Sequence, residues 1–220
     1  MNQTPTVHLI DDDESFLRSM ARRLRSHGLN VATWNSAAEF LLRPDQDAPG
    51  CVLTDLQMPA RDGFELQRNL AASSNPLPLI FISGKGDIPS TVRAMRAGAE
   101  DFLTKRTETA ELLAAIHRAL DRDAQERISR GQQNASRELI DSLSGRELQM
   151  LLGIIQGLSN RQMSENYGVA ERTVKHYRTL LTRRLDIYTS VDLCRLVQEA
   201  GLTPDDIAAA IDSTPATALQ

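Results

Sequence analysis

At 220 residues and 41% apolar content, the chain is long enough for one large domain or two modest ones, and rich enough to bury a substantial core. Cys51 and Cys194 lie far apart, with no neighbour at metal-ligand spacing, which argues against a disulfide framework or a zinc centre. The net charge of −4 counts against a nucleic-acid binder as a whole, yet from Asn160 to Arg184 six basic residues accompany only two acids.

Thr6 to Ile10 reads as a strand running straight into Asp11-Asp12-Asp13-Glu14. From Ser15, the apolar residues Phe16, Leu17, Met20, Ala21 and Leu24 fall at helical spacing and stop at Gly28. Val31 to Trp34 is a second strand, and Ser36 caps a short helix through Phe40 to Leu42. After a loop bracketed by Pro44 and Pro49, Cys51 to Asp55 is an apolar run ending in a carboxylate, with a turn closed by Pro59 and Asp62-Gly63 opening the next segment. Phe64 to Leu70 is helical, Leu79 to Ile82 a strand, and Ser83-Gly84-Lys85-Gly86 a turn. Pro89 suits the first turn of a helix reaching Gly98, Asp101 to Thr104 is a short strand before Lys105, and Thr109 begins a long amphipathic helix. Five strand-helix repeats in about 120 residues predict an α/β fold, a doubly wound five-stranded parallel sheet of flavodoxin-like form.

The carboxyl ends of the strands in such a sheet form a crevice where chemistry is normally placed. Asp11, Asp12, Asp55, Ser83 and Lys105 converge there. Taken singly, each has a bland role: Asp11 to Glu14 as helix-capping acids, Asp55 and Ser83 as turn residues, Lys105 as a solvated lysine. Together they make a constellation, because crowded carboxylates repel unless a divalent cation joins them, and Mg²⁺ favours hard oxygens. A Mg²⁺ and a lysine beside an aspartate are what phosphoryl transfer onto a carboxylate requires, with Asp55 as acceptor.

Residues 6–120 resemble the receiver domain of two-component response regulators. The resemblance implies Asp55 as phosphoacceptor, and Asp12, with Asp11 behind it, as ligand of Mg²⁺ (or Mn²⁺). It also implies Gln57 contributing its backbone carbonyl to the metal, Ser83 turning toward the phosphoryl group, Lys105 pairing with it, and Phe102 at the aromatic switch position. Met58-Pro59 and Gly63 match the loop after the acceptor. The chain departs from the family at Arg106, where proline usually follows the lysine; a trans or otherwise rearranged loop is expected there. A phosphatase turning over through an aspartyl phosphate is the competing enzyme class, but it predicts an acid two residues after the nucleophile, where Gln57 stands.

Residues 121–138 are polar and charged, and are read as a linker, helical at first and looser around Gly131-Gln132-Gln133-Asn134. From Leu139 the pattern is helical throughout. Ser144 with Glu147 three residues on is a capping box opening a helix that closes at Gly157. Ser159 caps a second helix, Asn160 to Tyr167, and Gly168-Val169-Ala170 turns into a third, Glu171 to Leu185. With Val174, Tyr177, Leu181 and Leu185 inward, Arg172, Thr173, Lys175, His176, Arg178 and Thr179 are placed to reach DNA, the arginine and lysine near the helix start toward guanine edges and Thr173 toward a phosphate or a base, while Arg183 and Arg184 suit phosphates. Residues 139–200 resemble the LuxR/NarL/FixJ-type DNA-binding domain, in which a fourth helix, here Val191 to Ala200, pairs two domains.

The expected organisation is a receiver at 1–120, a linker at 121–138, a second, all-α helix-turn-helix domain at 139–203 and a mostly disordered tail at 204–220, with one weak helix possible from Pro204 to Ile211. The expected partners are a sensor histidine kinase, promoter DNA, RNA polymerase and, on phosphorylation, a second copy; with Gly84-Lys85-Gly86-Asp87-Ile88-Pro89 after the fourth strand the sequence resembles the FixJ-like branch, and that resemblance implies an activator. The competing reading is a phosphorylation-independent DNA-binding regulator with an atypical receiver. No apolar run approaches the roughly 20 residues of a membrane helix and Met1 to Thr6 lacks an export signal, so a cytoplasmic protein without a membrane partner is expected.

Overall fold

A computed structural model describes residues 4–45, 47–58, 63–84 and 87–212. The turn at Pro59 with Asp62, the Lys85-Gly86 part of the turn after Ser83 and tail residues 213–220 lie outside the described residues. The chain divides into two compact units, Met1–Arg127 and Ile128–Gln220.

The first unit alternates strands and helices in the order β1 (Thr6–Ile10), α1 (Glu14–Ser26), β2 (Asn30–Trp34), α2 (Ala37–Leu41), β3 (Gly50–Asp55), α3 (Gly63–Ala71), β4 (Leu79–Ser83), α4 (Ile88–Arg96), β5 (Asp101–Thr104) and the first part of α5 (Thr109–Asp141), whose last residues belong to the second unit. All strand pairs are parallel, in the order β2-β1-β3-β4-β5. This is the doubly wound sheet that the repeats predict, and strand alternation divides its core into two layers. Val7, Leu9, Leu53, Ile80 and Ile82 pack with α1 and α5 through Leu17, Leu24, Leu112 and Ile116. Ile10, Val52, Leu79 and Phe81 pack with α2, α3 and α4 through Phe40, Phe64, Leu66 and Ala94.

Residues 121–138 do not loosen: α5 is continuous through Gly131 to Asn134. Ion pairs one turn apart, Arg122 with Glu126, Asp123 with Arg127 and Arg137 with Asp141, support a helix whose composition alone reads as linker. Asp123, 1% exposed, also accepts the Gly50 N–H at 2.9 Å, while Arg127 donates to the Asp47 and Ala48 carbonyls at 2.6 and 2.9 Å. These contacts hold α5 to the edge of the sheet opposite the strand carboxyl ends.

The second unit continues with α6 (Gly145–Ile155), α7 (Asn160–Tyr167), α8 (Glu171–Leu185), α9 (Ser190–Glu199) and α10 (Pro204–Asp212) around Met150, Leu151, Met163, Val174, Leu181, Leu196 and Val197. The expected capping box forms at Ser144 with Glu147, and the expected cap at Ser159 is a second such box, completed by Gln162. Gly168 ends α7 at φ 63°, the left-handed conformation a side chain resists, and so makes the turn into α8. The start of the tail is ordered: Ile207, 1% exposed, seats α10 in this core.

Candidate functional site

Each group of the first site is delivered by the end of a strand. Asp55 closes β3, all six residues of which are buried, and is itself 8% exposed. Gly63 lets the start of α3 approach the end of β3, since a Cβ there would meet Phe81 Cε1 at 2.6 Å and the Asp55 carbonyl oxygen at 2.8 Å. Asp11 follows β1, its N–H donating to the Trp34 carbonyl at 3.2 Å, and is fully buried. The Lys105 N–H donates to the Ser83 carbonyl at 2.9 Å, which fixes the ends of β4 and β5 side by side; Ser83 is buried.

The four acids after β1 have separate jobs. Asp13 is the α1 cap: its carboxylate accepts the N–H groups of Ser15 and Phe16 and the Ser15 hydroxyl. Those bonds hold its pKa below the usual carboxylate range. Glu14 pairs with Arg18 on the surface. Asp11, Asp12 and Asp55 gather, with carboxylate oxygens within 4.8 Å of one another. Three hard-oxygen donors at this spacing, one of them exposed, fit a Mg²⁺-sized cation that retains water.

Lys105 Nζ lies 2.6 Å from Asp11 Oδ2 and 3.0 Å from Asp55 Oδ2. Burial pushes the Asp11 carboxyl above the usual range, and the bonds from Lys105 and the Asp13 N–H only moderate this. Burial also opposes the lysine's charge, but the bonds it donates to Asp11 and Asp55 outweigh that and raise its pKa. The partners pull in opposite senses; the ionised state is the better description, because two carboxylates share one ammonium.

Gln57 is exposed, and its N–H donates to Asp55 Oδ1 at 3.3 Å. Phe102 is half-buried, its ring centroid 6.0 Å from that of Phe81. Arg106 is exposed and follows Lys105 through a trans peptide. Sequence reasoning missed Phe16, whose ring centroid lies 4.4 Å from Lys105 Nζ. Its place in the α1 stripe marks it as core, and no local pattern announces a partner in the residue after β5.

In the second unit, Arg172, Lys175, His176, Thr179 and Arg183 are exposed along one side of α8, with Thr173 half-buried beside them. The Thr179 hydroxyl donates back to the Lys175 carbonyl at 3.0 Å. Two expected DNA-facing arginines are placed differently. Arg178 shares the helical phase of Val174 and Leu181; it is half-buried and donates to Asn160 Oδ1 at 2.9 Å. Arg184 donates to Glu147 Oε2 at 2.8 Å and to the Ser142 carbonyl at 2.6 Å, which ties the end of α8 to the start of α6. Burial works against the Glu147 charge, but the bonds from Ser144 and Arg184 prevail and lower its pKa. Glu147→Ala removes half of a capping box and this tie, and should cost about 2 kcal/mol in urea unfolding of the full chain; a loss under about 0.5 kcal/mol would contradict the assignment.

Residues 7–117 match the response regulator receiver domain, and residues 141–197 match the bacterial regulatory proteins of the luxR family. The chain belongs to the two-component response regulators that join a receiver to a LuxR-type helix-turn-helix DNA-binding domain. Among its relatives, the response regulator protein TodT of Pseudomonas putida is 36% identical over 90% of this chain and 87% of its own length. The transcriptional regulatory protein FixJ of Azorhizobium caulinodans is 35% identical over 98% of this chain and all of its own. Among solved structures, that of the response regulator StyR is 41% identical with a TM-score of 0.77, covering 89% of this chain and 99% of StyR. Full-length FixJ from B. japonicum is 33% identical with a TM-score of 0.55, over 90% and 98% of the two chains. The family and its two domain types are thus those the motifs imply.

Proposed function

We propose that this response regulator is switched by phosphorylation of Asp55 by a partner sensor histidine kinase and acts, as an activator, on promoter DNA. The observation that carries the reading is the ammonium of Lys105 set between Asp11 and Asp55, at 2.6 and 3.0 Å, at the end of a buried strand. In the transfer, an Asp55 carboxylate oxygen bonds to phosphorus as the phosphohistidine P–N bond breaks, and the leaving histidine nitrogen takes the electron pair. Lys105 pairs with the arriving phosphoryl oxygens, and the Ser83 hydroxyl turns toward them. Asp11, Asp12, Asp55 and the Gln57 carbonyl would hold Mg²⁺ or Mn²⁺, which would supply neutralisation of charge on those oxygens. Phe102 follows Ser83 and changes the surface of the receiver.

The response is read by α8. Arg172, Thr173, Lys175, His176, Thr179 and Arg183 contact the operator; Arg178 and Arg184, bonded within the unit, are left out of that set. Two phosphorylated copies occupy paired half-sites and contact RNA polymerase in the cytoplasm.

Incubation with acetyl phosphate and Mg²⁺ should add one phosphoryl group to the wild-type chain and none to Asp55→Asn, by intact mass. A group that persists on the Asn variant would overturn Asp55 as acceptor. Phosphorylated wild type should bind its promoter more tightly than Asp55→Asn; equal binding would favour the phosphorylation-independent reading that Arg106 invites.

A further inference from the structure

We propose that Phe16 is a positioning residue for Lys105, its ring forming the apolar wall that holds the ammonium against Asp55 while the phosphoryl group arrives. The inference rests on the reading that Asp55 accepts that group. Lys105 Nζ lies 2.6 Å from Asp11 Oδ2, 3.0 Å from Asp55 Oδ2 and 4.4 Å from the Phe16 ring centroid. The ring distance is within the range over which an aromatic face attracts a cation.

The three contacts differ in what phosphorylation does to them. On transfer from acetyl phosphate, an Asp55 oxygen bonds to phosphorus, the bond from phosphorus to the acetate oxygen breaks, and acetate leaves with the electron pair. Asp55 thereby ceases to be a free carboxylate, so the lysine exchanges that partner for a phosphoryl oxygen. Asp11 and the ring do not change. They keep a long, flexible side chain in place across the exchange.

Phe16 is itself well held. Its N–H donates to Asp13 Oδ1 at 3.2 Å in the first turn of α1, and its ring packs against the α1 and α5 core layer. Asp13, although outside the acid cluster, thereby sets the wall on which the lysine rests. The competing role is plain core packing, which leucine also supplies. Only an aromatic face supplies attraction for the ammonium.

The test compares full-length wild type, Phe16→Leu and Phe16→Tyr in two measurements. In phosphorylation by acetyl phosphate with Mg²⁺, Phe16→Leu should take up the group roughly three- to tenfold more slowly and Phe16→Tyr at nearly the wild-type rate. The second measurement is NMR of ¹³C-lysine-labelled protein without phosphodonor. The chain has three lysines, Lys85, Lys105 and Lys175, and Lys105→Met identifies the signal of interest. The ring current of Phe16 should displace the Lys105 methylene protons upfield in wild type and Phe16→Tyr, and not in Phe16→Leu. Equal uptake rates in wild type and Phe16→Leu, or an unchanged Lys105 signal in Phe16→Leu, would overturn the proposal while leaving Asp55 as acceptor. Absence of any adduct on the wild type would instead overturn the phosphoryl-transfer reading, and the role of Phe16 with it.

Discussion

Lys105→Met should lower stability at neutral pH by about 3 kcal/mol in metal-free urea unfolding. Its ammonium, on a side chain 22% exposed, is the cation paired with both the fully buried Asp11 and the nearly buried Asp55. Methionine fills much of the same volume but leaves two carboxylates facing each other in a poorly hydrated crevice, and that repulsion is the expected cost. Three further results follow from the same physics. The deficit should shrink as the pH falls through the carboxylate range, because a proton then replaces the lysine. This sign agrees with the Asp11 pKa already lying above its ordinary value, so that its ionised form weakens the fold as pH rises. Mg²⁺ should recover part of the loss by binding the folded acid cluster and not the unfolded chain. Adding Asp11→Asn to Lys105→Met should cost less than the single change predicts, since the two share one interaction. An unaltered urea midpoint in Lys105→Met would mean that the acids are not held in the pairing described.

The second large effect lies beneath the same sheet, at a group outside the site. His8 sits in β1, 6% exposed, and its pKa is lowered from 6.5 to about 4 by burial, with a smaller contribution from the Arg43 guanidinium. Its Nδ1 accepts the Trp34 indole N–H at 3.3 Å, which assigns the proton of the neutral ring to Nε2. Among the described residues that atom has no hydrogen-bond partner, and the Phe40 ring stands edge-on with centroids 5.2 Å apart. Above pH 6.5 the imidazole is neutral in both folded and unfolded chains and has no effect on the balance. Between 6.5 and about 4 the unfolded chain takes up a proton that the folded one refuses, so stability falls with pH by about 3 kcal/mol in total. His8→Leu should remove that part of the acid limb while the carboxylates common to both proteins titrate as before. Identical pH profiles of urea stability in the two proteins would show that His8 is charged, or solvated, in the native state.

Neither effect could be taken from the order of residues. Thr6 to Ile10 is legible as a strand, and His8 within it reads as one more strand position; only the packing of Trp34, Phe40 and Arg43 around it turns it into a suppressed base. The same holds for the acids after β1. Their position at a strand end is evident, and a capping role and a cation-binding role are both sensible for four consecutive carboxyl groups. The structure divides the two roles, giving Asp13 to the helix, where its carboxylate accepts the free N–H groups of the first turn of α1, and Asp11 and Asp12 to the crevice at the end of β1. On α8 the basic stripe is visible in the sequence, where the inward stripe reads as Tyr177 and its apolar partners alone. Arg178 lies on that side as well, where Asn160 satisfies its charge-bearing end.

The chain's own order determined the elements, because hydrophobic period, glycine stops and capping pairs act over a few residues and hardly depend on the rest of the fold. It also determined that Asp55, Lys105, Asp11 and Asp12 would meet at one edge, since a parallel sheet brings all its carboxyl ends together. Only the tertiary structure decided which charges answer one another: Lys105 with Asp11 and Asp55, Arg184 with Glu147, and Arg127 with Asp123 and the loop before β3. Ion pairing and burial depend on distance in space, and residues 50 positions apart, as Asp55 and Lys105 are, carry no local mark of being neighbours.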